Sequence, residues 1–299
     1  GGLAYQLRRR TRAGNEQDRG RFGYAHLGVP RAGVLDAPAA ALANRLVGNG
    51  PDAAVLETTM SGVTVRIERA ATISVTGAWC PVLVDGRAVA HSEPVSLRAG
   101  STVAVGRAAT DVRSYLAVGG GIDVPVVLGS RSVDTLAWIG PPRLRVGDVL
   151  PLGSWTASPA PLDVGVRRPA RRVLRITPGP RADWLDDEAW RRLDRTRYTV
   201  DAASNRVGLR LSGPVIERAR TGELASEGIV LGSVQLPPSG QPVVFLHDHP
   251  VTGGYPVIGV VVVDDVPTCA QLRPGATVEL RVQSSTGRSA GPSAGSSTE

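Results

Sequence analysis

Two histidines in the segment HDHP, His247 and His249, have a spacing that suits a metal site. In an extended strand these two side chains point to the same face, and a third ligand would complete the site, for which His26 or His91 is available. The alternative is that both histidines are ordinary polar residues at the end of a strand. We favour this alternative and assign no metal ligand to the chain.

The segment TGGYP (252–256) follows directly and combines two glycines with a hydroxyl and an aromatic side chain. Glycine backbone can approach a ligand closely, and the amides of Gly253 and Gly254 could stabilise an oxyanion. A plain turn between two strands is the alternative. Among the neighbouring side chains, Asp248 and Tyr255 carry groups that can transfer protons.

A run of three glycines, Gly119–Gly121, ends an apolar stretch, and its backbone amides could hold an anion. The run lacks the GxGxxG spacing and a following helix, so we expect no dinucleotide site. The segment GSRS (129–132) comes next, and its Arg131 could bind a carboxylate through two parallel hydrogen bonds. A surface salt bridge is the alternative for this arginine.

Two further segments contain carboxylates that could handle protons. Glu227 begins the segment EGIVLGSVQ and could act as a base if it is buried. Asp18 and Arg21 in QDRGRFG could form an ion pair in a loop shaped by glycine. For both segments a structural role, in a turn or a loop, is the leading interpretation.

All 34 basic residues are arginine, and this excludes several chemistries. Without lysine the chain can neither form a Schiff base nor supply the lysine of a phosphate-binding P-loop. It likewise cannot carry biotin, which is attached through a lysine amine, or an amidase-type Ser-Ser-Lys catalytic set. The net charge of +7 comes from scattered arginines with few aromatic residues between them, so we expect no nucleic-acid partner.

The composition favours many short strands over long helices, since 36 glycines and 23 prolines are spread along the 299 residues. No apolar run approaches the length of a transmembrane helix, and the N-terminal residues lack the apolar core of a signal peptide. Two cysteines are too few for a disulfide framework. We therefore expect a cytoplasmic protein that contacts no membrane.

The elements that position these residues follow from apolar periodicity and turn residues. Helices are predicted at 36–49, with Asp36 as N-cap, and at 183–194. A Leu-Arg-x-Gly turn followed by an alternating strand is predicted at 97–106, 144–153 and 272–281. Further strands are predicted at 55–67, 72–76, 82–85, 113–118, 173–177, 207–211, 229–236, 242–247 and 257–263.

The chain is predicted to hold two domains, at 1–155 and 172–283. The segment 151–172 is rich in Pro, Ala and Arg and is the candidate linker between them. Residues 284–299 are low in complexity and rich in Ser and Gly, which predicts a disordered tail.

Several segments resemble the KipA family, whose members are also described as the C subunit of 5-oxoprolinase or as allophanate hydrolase subunit 2. The resemblance covers about residues 14–282, and its motifs occur in family order. The segments that carry it are QDRGRFGYAHLGVPRAGVLD (17–36), ANRLVGN (43–49), LETTMSGVTVRI (56–67), YLAVGGGIDVPVVLGSRSVDT (115–135), SNRVGLRLSGP (204–214), SEGIVLGSVQLPPSGQP (226–242) and TGGYPVIGVVVVDD (252–265).

This resemblance implies a mostly-β protein of two cyclophilin-like β-barrel domains with a few short helices. It implies the C subunit of an ATP-dependent 5-oxoprolinase complex, which opens 5-oxoproline to glutamate together with a KipI-like B subunit and an A subunit. The chain alone is expected to be inactive and to bind no cofactor, with ATP used by the complex. Two alternatives stay open: the carboxyltransferase component of a urea or amide biotin-dependent carboxylase, and a KipA-type regulatory protein that antagonises a KipI-like kinase inhibitor.

The expected site is a cleft for a small carboxylated lactam or amide. Its catalytic residues would be Glu227, Asp248 and Tyr255. The substrate-binding residues would be Gly119, Gly120, Gly121, Arg131, Ser132, Ser226, Gln235, Thr252, Gly253 and Gly254. The supporting residues would be Asp18, Arg21, Asn44, Asn205 and Arg206.

Three positions depart from the family pattern. Arg19 stands where the family usually has Leu, which places a charge where an apolar side chain is expected. In the segment that the family commonly has as DRQTTGGYP, His249 stands for Arg and Val251 stands for Thr. If that Arg and Thr hold a substrate carboxylate, the specificity of this chain differs from that of the family.

Overall fold

The computed structural model describes residues 4–7, 14–154 and 172–283, the first of these ranges by its backbone only. The predicted tail at 284–299 and most of the predicted linker lie outside the described residues. Strands dominate both halves of the chain, which confirms the mostly-β prediction. None of the described helices is long and apolar enough to cross a membrane.

In the first half of the chain the strands pair into two sheets. The strands are β1 (Ala4–Leu7), β2 (Gly14–Gln17), β3 (Val55–Thr59), β4 (Val63–Ile67), β5 (Ala71–Gly77), β6 (Val82–Val84), β7 (Arg87–Val89), β8 (Val95–Leu97), β9 (Thr102–Val105), β10 (Arg113–Val118) and β11 (Val149–Pro151). The six-stranded sheet has the order β11-β1-β4-β9-β6-β7, and the five-stranded sheet has the order β2-β3-β10-β5-β8. Apolar side chains from both sheets, among them Leu56, Val65 and Leu116, form one buried core.

Helix α1 (Ala37–Leu46) packs on the five-stranded sheet with its small apolar face. Asp36 caps the helix as predicted, since its carboxylate accepts a hydrogen bond of 3.1 Å from the amide of Ala39. Ala43 and the ring of Tyr115 are fully buried in this contact. The Tyr115 hydroxyl accepts a hydrogen bond of 2.8 Å from the Asp36 amide, which fixes the start of the helix to β10.

The second half of the chain closes into a seven-stranded barrel in the order β12-β19-β16-β17-β14-β13-β20, with a separate two-stranded ribbon of β15 and β18. The strands are β12 (Val173–Pro178), β13 (Arg197–Val200), β14 (Gly208–Ser212), β15 (Glu227–Gly228), β16 (Ser233–Gln235), β17 (Val243–Phe245), β18 (Thr252–Gly253), β19 (Val257–Val261) and β20 (Thr277–Val282). Helix α2 (Asp187–Leu193) lies between β12 and β13 in the chain, and α3 (Val266–Gln271) lies between β19 and β20. Short 3-10 helices occur at Ala182–Trp184 and Val263–Asp265 in this half and at Ala25–Leu27 in the first half. The core contains Leu174, Leu209, Val234 and Leu280, all essentially without exposure.

The three Leu-Arg-x-Gly segments fold as predicted. Their glycines, Gly100, Gly147 and Gly275, have φ angles of 85°, 97° and 81°, a conformation that side-chain-bearing residues avoid. Each turn leads directly into a strand, which is β9, β11 or β20.

Other predicted boundaries are wrong in ways that have a local cause. The predicted strand 55–67 is two strands in different sheets, because the chain turns at Met60 and Gly62 with φ angles of 54° and 72°. The predicted helix 183–194 begins only after Asp186, whose carboxylate accepts a hydrogen bond from the Ala189 amide. Helix α3 was not predicted, because its six residues are too few for helical periodicity.

The two halves of the chain meet along a buried interface that we call the seam. Gln271, at the end of α3, links the second half to the first across this seam. The side-chain oxygen of Gln271 accepts hydrogen bonds from the amides of Val112 (3.0 Å) and Arg113 (2.9 Å). Its nitrogen donates to Oδ2 of Asp36 at 2.8 Å and to the carbonyl of Arg113 at 3.0 Å. One side chain of the barrel therefore satisfies four polar groups of the first half.

Replacing this residue tests the seam. We expect Gln271→Ala to lower the free energy of unfolding by about 2–4 kcal/mol, because it leaves buried polar groups without partners. Chemical denaturation measures the change. The matched control is Gln241→Ala, since Gln241 bonds both backbone groups of Gly213 but in an exposed place, and we expect it to cost less than about 1 kcal/mol. Equal losses in the two variants would show that Gln271 does not hold the seam.

Candidate functional site

The ribbon of β15 and β18 brings two of the predicted motifs together. Glu227 is paired with Gly253, and Gly228 is paired with Thr252. The amide of Ile229 extends the pairing by donating to the carbonyl of Val251 at 2.9 Å. Segments that are separated along the chain thus place a carboxylate beside the TGGYP loop.

Arg181 holds the Glu227 carboxylate. Its Nε donates to Oε2 at 3.0 Å and its Nη2 donates to Oε1, so the two groups form a bidentate pair. Both side chains are partly exposed, at 36% for Arg181 and 28% for Glu227, so a ligand can reach them. Arg181 was not predicted to be a site residue. It follows β12 in the short segment PGPR. The only sequence feature that could have indicated its role is a lone arginine between a predicted strand and a predicted helix.

Gln235 and Gly253 hold the TGGYP loop in place through buried contacts. The buried Gln235 side chain donates to the carbonyl of Tyr255 at 2.9 Å. A Cβ atom on Gly253 would lie 2.5 Å from Cδ1 of Ile229 and 2.9 Å from Nε2 of Gln235, so any other residue here would displace these two side chains. The loop is therefore held rigidly while Thr252 and Tyr255 stay exposed.

These residues form what we call the ribbon cluster: Arg181, Ser226, Glu227, Gln235, Thr252, Gly253, Gly254 and Tyr255. Ser226 is exposed and precedes the paired carboxylate. The amides of Gly254 and Tyr255 donate no hydrogen bond to any described residue. The cluster thus combines a carboxylate, a guanidinium and accessible backbone amides, which is a set able to bind a polar substrate and move a proton.

A second group of charges lies in the seam and is fully buried. Arg206 donates to both carboxylate oxygens of Asp248, at 2.8 and 2.9 Å, and to Oε1 of Glu57 at 2.5 Å. It also donates to the carbonyl of Gly33 at 2.7 Å. The guanidinium of Arg113 lies 3.5 Å from Glu57 as well. The flanking carboxylates hold the pKa of Arg206 above its usual value in spite of burial, so this cation stays charged.

This arrangement changes the interpretation of Asp248, which was predicted to be catalytic. Its side chain has no exposed surface. Oδ2 accepts further hydrogen bonds from the amide (3.0 Å) and the hydroxyl (2.6 Å) of Thr135, a residue of the first half. A carboxylate with these partners joins the two halves, so the structure gives Asp248 a structural role and offers no support for the predicted catalytic one.

The segment GSRS is organised by Asp18. The carboxylate of Asp18 accepts from the hydroxyls of Ser130 (2.5 Å) and Ser132 (2.6 Å) and from the amide of Arg131 (2.6 Å). The predicted pair of Asp18 with Arg21 does not form a hydrogen bond; Arg21 donates to the carbonyls of Ser132 and Val127 instead. Ser132 is fully buried in this network and cannot touch a ligand.

Arg131 makes a salt bridge at the surface, which was the alternative interpretation of this residue. Its Nη2 donates to Oδ1 of Asp123 at 2.6 Å, and its Nε donates to the carbonyl of Val124 at 3.0 Å. The charge of Arg131 is therefore balanced within the chain by Asp123.

The predicted oxyanion role of Gly119, Gly120 and Gly121 is wrong. Their amides already donate to the carbonyl of Thr72 (2.8 Å), to Oδ1 of Asn49 (2.8 Å) and to the carbonyl of Val118 (2.8 Å). Three residues that were predicted to support the site likewise have hydrogen-bond partners within the chain. Asn44 is buried and bonds Asn49 and Ala53, Asn205 closes a turn with the amides of Val207 and Gly208, and Arg206 forms the seam described above.

His247 and His249 are both buried at the seam. Burial lowers the pKa of His247 well below its usual value, with nearby arginine charges adding to the shift, and burial likewise lowers the pKa of His249. Nδ1 of His249 lies 2.7 Å from the carbonyl of Pro250. The described residues, which include all four histidines, contain no group of three or more potential metal ligands.

Comparison with known proteins places these features in a family. Residues 27–282 match the family described as carboxyltransferase domain, subdomain A and B. The chain is 37% identical to the C subunit of 5-oxoprolinase from Escherichia coli over 88% of its length and 86% of that protein. It is 33% identical to the C subunit of 5-oxoprolinase from Haemophilus influenzae over 90% of its length and 87% of that protein.

Longer proteins contain a similar part. The crystal structure of TTHA0988 shares 37% identity and a TM-score of 0.84, with 94% of this chain and 55% of that chain covered. The urea amidolyase of K. lactis shares 28% identity and a TM-score of 0.88, with 93% of this chain and 18% of that chain covered. This chain thus spans about half of the first of these proteins and under a fifth of the second.

The seam predicts a large effect of removing one charge. We expect Asp248→Asn to lower the free energy of unfolding by about 3–5 kcal/mol, because Arg206 loses half of its buried counter-charge. Asp264→Asn is the control, since Asp264 is exposed, and its cost is expected to stay below about 0.5 kcal/mol. Chemical denaturation of both variants measures this, and a fully stable Asp248→Asn protein would contradict the structural role of this carboxylate.

The buried histidines predict a loss of stability in acid. The folded protein holds His247 neutral, whereas the unfolded chain binds a proton near pH 6.5, so stability is present above this pH and is lost as the pH falls below it. We expect His247→Gln to reduce the slope of unfolding free energy against pH by about 1.4 kcal/mol per pH unit below pH 6.5. Denaturant titrations between pH 5 and 7 at roughly half-unit steps test this. The exposed His26→Gln is the control and should leave the slope unchanged; an equal slope in the wild type and His247→Gln would count against the assignment.

Proposed function

This chain belongs to the carboxyltransferase domain family, subdomain A and B, and on that premise we propose that it is the C subunit of a 5-oxoprolinase-type complex. In the proposed reaction 5-oxoproline is opened to glutamate with use of ATP, and the chain acts with a KipI-like B subunit and an A subunit. The observation that carries the proposal is the similarity to the C subunits of two bacterial 5-oxoprolinases, which extends over most of both proteins.

Glu227 is the residue that we assign to proton transfer. It is the carboxylate of the ribbon cluster, it is partly exposed, and its position is fixed by Arg181 on one side and by the pairing with Gly253 on the other. Opening a lactam requires a proton to leave the attacking water and a proton to reach the ring nitrogen. A carboxylate that is held in place but open to ligand can serve both transfers.

Arg181 and the backbone of the TGGYP loop are assigned to substrate binding. Nη1 of Arg181 donates no hydrogen bond to any described residue, so it is free for the carboxylate of a small lactam. The accessible amides of Gly254 and Tyr255 are suited to the oxygen of the lactam carbonyl, where negative charge develops during attack. Thr252 and the Tyr255 ring would form the wall of the site.

The ribbon cluster is open on its outer side, which supports a site that is completed by another protein of the complex. Ser226, Thr252, Gly254 and Tyr255 of this cluster are all exposed. Closure by a partner would remove water and strengthen the charge interactions in the site. We assign ATP to the partner proteins, since the chain has no lysine for a phosphate loop.

A carboxyltransferase is the second candidate, and the match with the urea amidolyase structure favours it. In that role the same cluster would bind urea or another amide, whose nitrogen would lose a proton and accept the carboxyl group released by carboxybiotin. The biotin would be attached to a different protein, because this chain has no lysine to carry it. A regulatory protein of KipA type is the third candidate and predicts tight binding of a KipI-like protein without turnover.

The test is co-expression of this chain with its neighbouring genes, followed by an assay of ATP-dependent 5-oxoproline hydrolysis. We expect activity only when all three proteins of the proposed complex are present together. In that mixture Glu227→Gln should lower kcat by at least about 100-fold, because the proton-transfer group is lost. Glu223→Gln is the matched control, since Glu223 is exposed on the preceding loop, and it should keep wild-type activity.

Two results would overturn the assignment. A complete mixture without hydrolysis, but with biotin-dependent carboxylation of urea, would replace it by the second candidate. Hydrolysis that is unchanged by Glu227→Gln would keep the complex but remove the ribbon cluster as its site.

A further inference from the structure

Arg31 differs from the other seam arginines in that it has no acidic partner. It makes no ion pair with the described residues, and its Nε is buried without a hydrogen-bond partner. Its guanidinium lies against the face of the Phe22 ring, 4.4 Å from the centroid. Burial lowers its pKa, and the nearby charge of Arg19 adds to this. Arg31 is half-buried, so its charge is only partly solvated and would be stabilised by an anion.

His247 borders Arg31 and also has an unused polar atom. Its Nδ1 is buried without a hydrogen-bond partner, and the side chain is only 5% exposed. The carbonyl of His247 accepts from the amide of Ala32, next to Arg31, at 2.9 Å. Burial lowers the pKa of His247, and the charge of Arg31 adds to this shift. A neutral imidazole in this place can donate one hydrogen bond to an anion.

Arg21, whose backbone pairs with that of Arg31, has a further unused donor. Its Nη1 is buried without a partner, while Nε and Nη2 donate to carbonyls of the first half. The amide of Arg21 donates to the carbonyl of Arg31 at 2.6 Å, so the two residues are adjacent across the loop. Unlike Arg31, Arg21 has acidic neighbours in Asp18, Asp134 and Asp248.

The acidic groups nearby are already engaged and do not fill these donors. Both oxygens of Asp248 are bonded by Arg206 and Thr135. The oxygens of Asp134 accept from the amides of Leu136 (3.1 Å) and Ala137 (2.6 Å). Among the described residues Arg31 thus has no acidic partner, and three buried polar atoms, Nε of Arg31, Nη1 of Arg21 and Nδ1 of His247, have no hydrogen-bond partner.

We propose that Arg31, His247 and Nη1 of Arg21 form a binding subsite for a small planar monoanion of the carboxylate class. A single uncompensated guanidinium matches one negative charge better than the two of a phosphate dianion, and its planar donors match a planar carboxylate. Residues 249–251 connect this subsite directly to the loop of the ribbon cluster. The subsite recognises a chemistry that an organic carboxylate and bicarbonate share. Its existence therefore does not depend on the proposed reaction.

The experiment uses the full chain and nuclear magnetic resonance of its histidine rings, which number four. Acetate, 5-oxoproline, bicarbonate and phosphate are titrated separately in chloride buffer. We expect a saturable shift of the His247 and His249 signals with at least one carboxylate-class anion, and no shift of the His26 and His91 signals. A response to 5-oxoproline and acetate identifies an organic carboxylate as the ligand, and a response to bicarbonate alone identifies bicarbonate.

Variants then assign the binding to Arg31. Arg31→Gln should weaken the dissociation constant at least tenfold, and Arg31→Lys should recover part of the affinity. Arg19→Gln is the matched control, since Arg19 lies on the same loop but is exposed and paired with Asp52, and it should change the constant less than twofold. The histidine signals themselves show whether each variant is folded.

Three outcomes would overturn the subsite: no saturable shift with any carboxylate-class anion, equal weakening by Arg31→Gln and Arg19→Gln, or tighter binding of phosphate. None of these depends on turnover. A chain that binds acetate through Arg31 but supports no hydrolysis would overturn the proposed reaction and leave the subsite in place.

Discussion

The buried ion pairs of Arg206 are the constraint on which the rest of the structure depends. Arg206 belongs to the barrel, and it bonds Asp248 of the barrel together with Glu57 of the first half. Removing these charges from water is costly, and the cost is offset only while all partners stay in place. These ion pairs join the two halves, and the uncharged side chains of Gln271 and Thr135 add hydrogen bonds to the same seam.

This constraint determines where chemistry can take place. Asp248 is fully occupied in the seam, but the chain that follows it leaves the seam and becomes the exposed TGGYP loop. The buried anchor and the accessible loop are thus consecutive, and the loop is fixed at its other end by Gln235 and by the pairing with Glu227. A rigid support of this kind holds a partly exposed carboxylate and guanidinium in a reproducible geometry, which substrate binding requires.

Much of the fold could be predicted from the sequence, since alternating apolar residues, three glycine turns and the Asp36 cap are local signals. The sites were harder to predict, because the roles of polar residues depend on partners far along the chain. Asp248 and Arg206 looked functional but satisfy each other, and the Gly119–Gly121 amides looked free but bond Thr72, Asn49 and Val118. Arg181 and Gln271 belong to no motif, and only the closed barrel brings them to Glu227 and Arg113.

The most direct test is a crystal structure of the chain in complex with the proposed KipI-like partner and with 5-oxoproline bound. The account predicts that the lactam lies against the ribbon cluster, with its carbonyl oxygen near the amides of Gly254 and Tyr255 and its ring nitrogen near Glu227. It also predicts that the Arg206 ion pairs are unchanged. A ligand bound only in the partner, or a seam in which Asp248 has left Arg206 to reach the ligand, would contradict it.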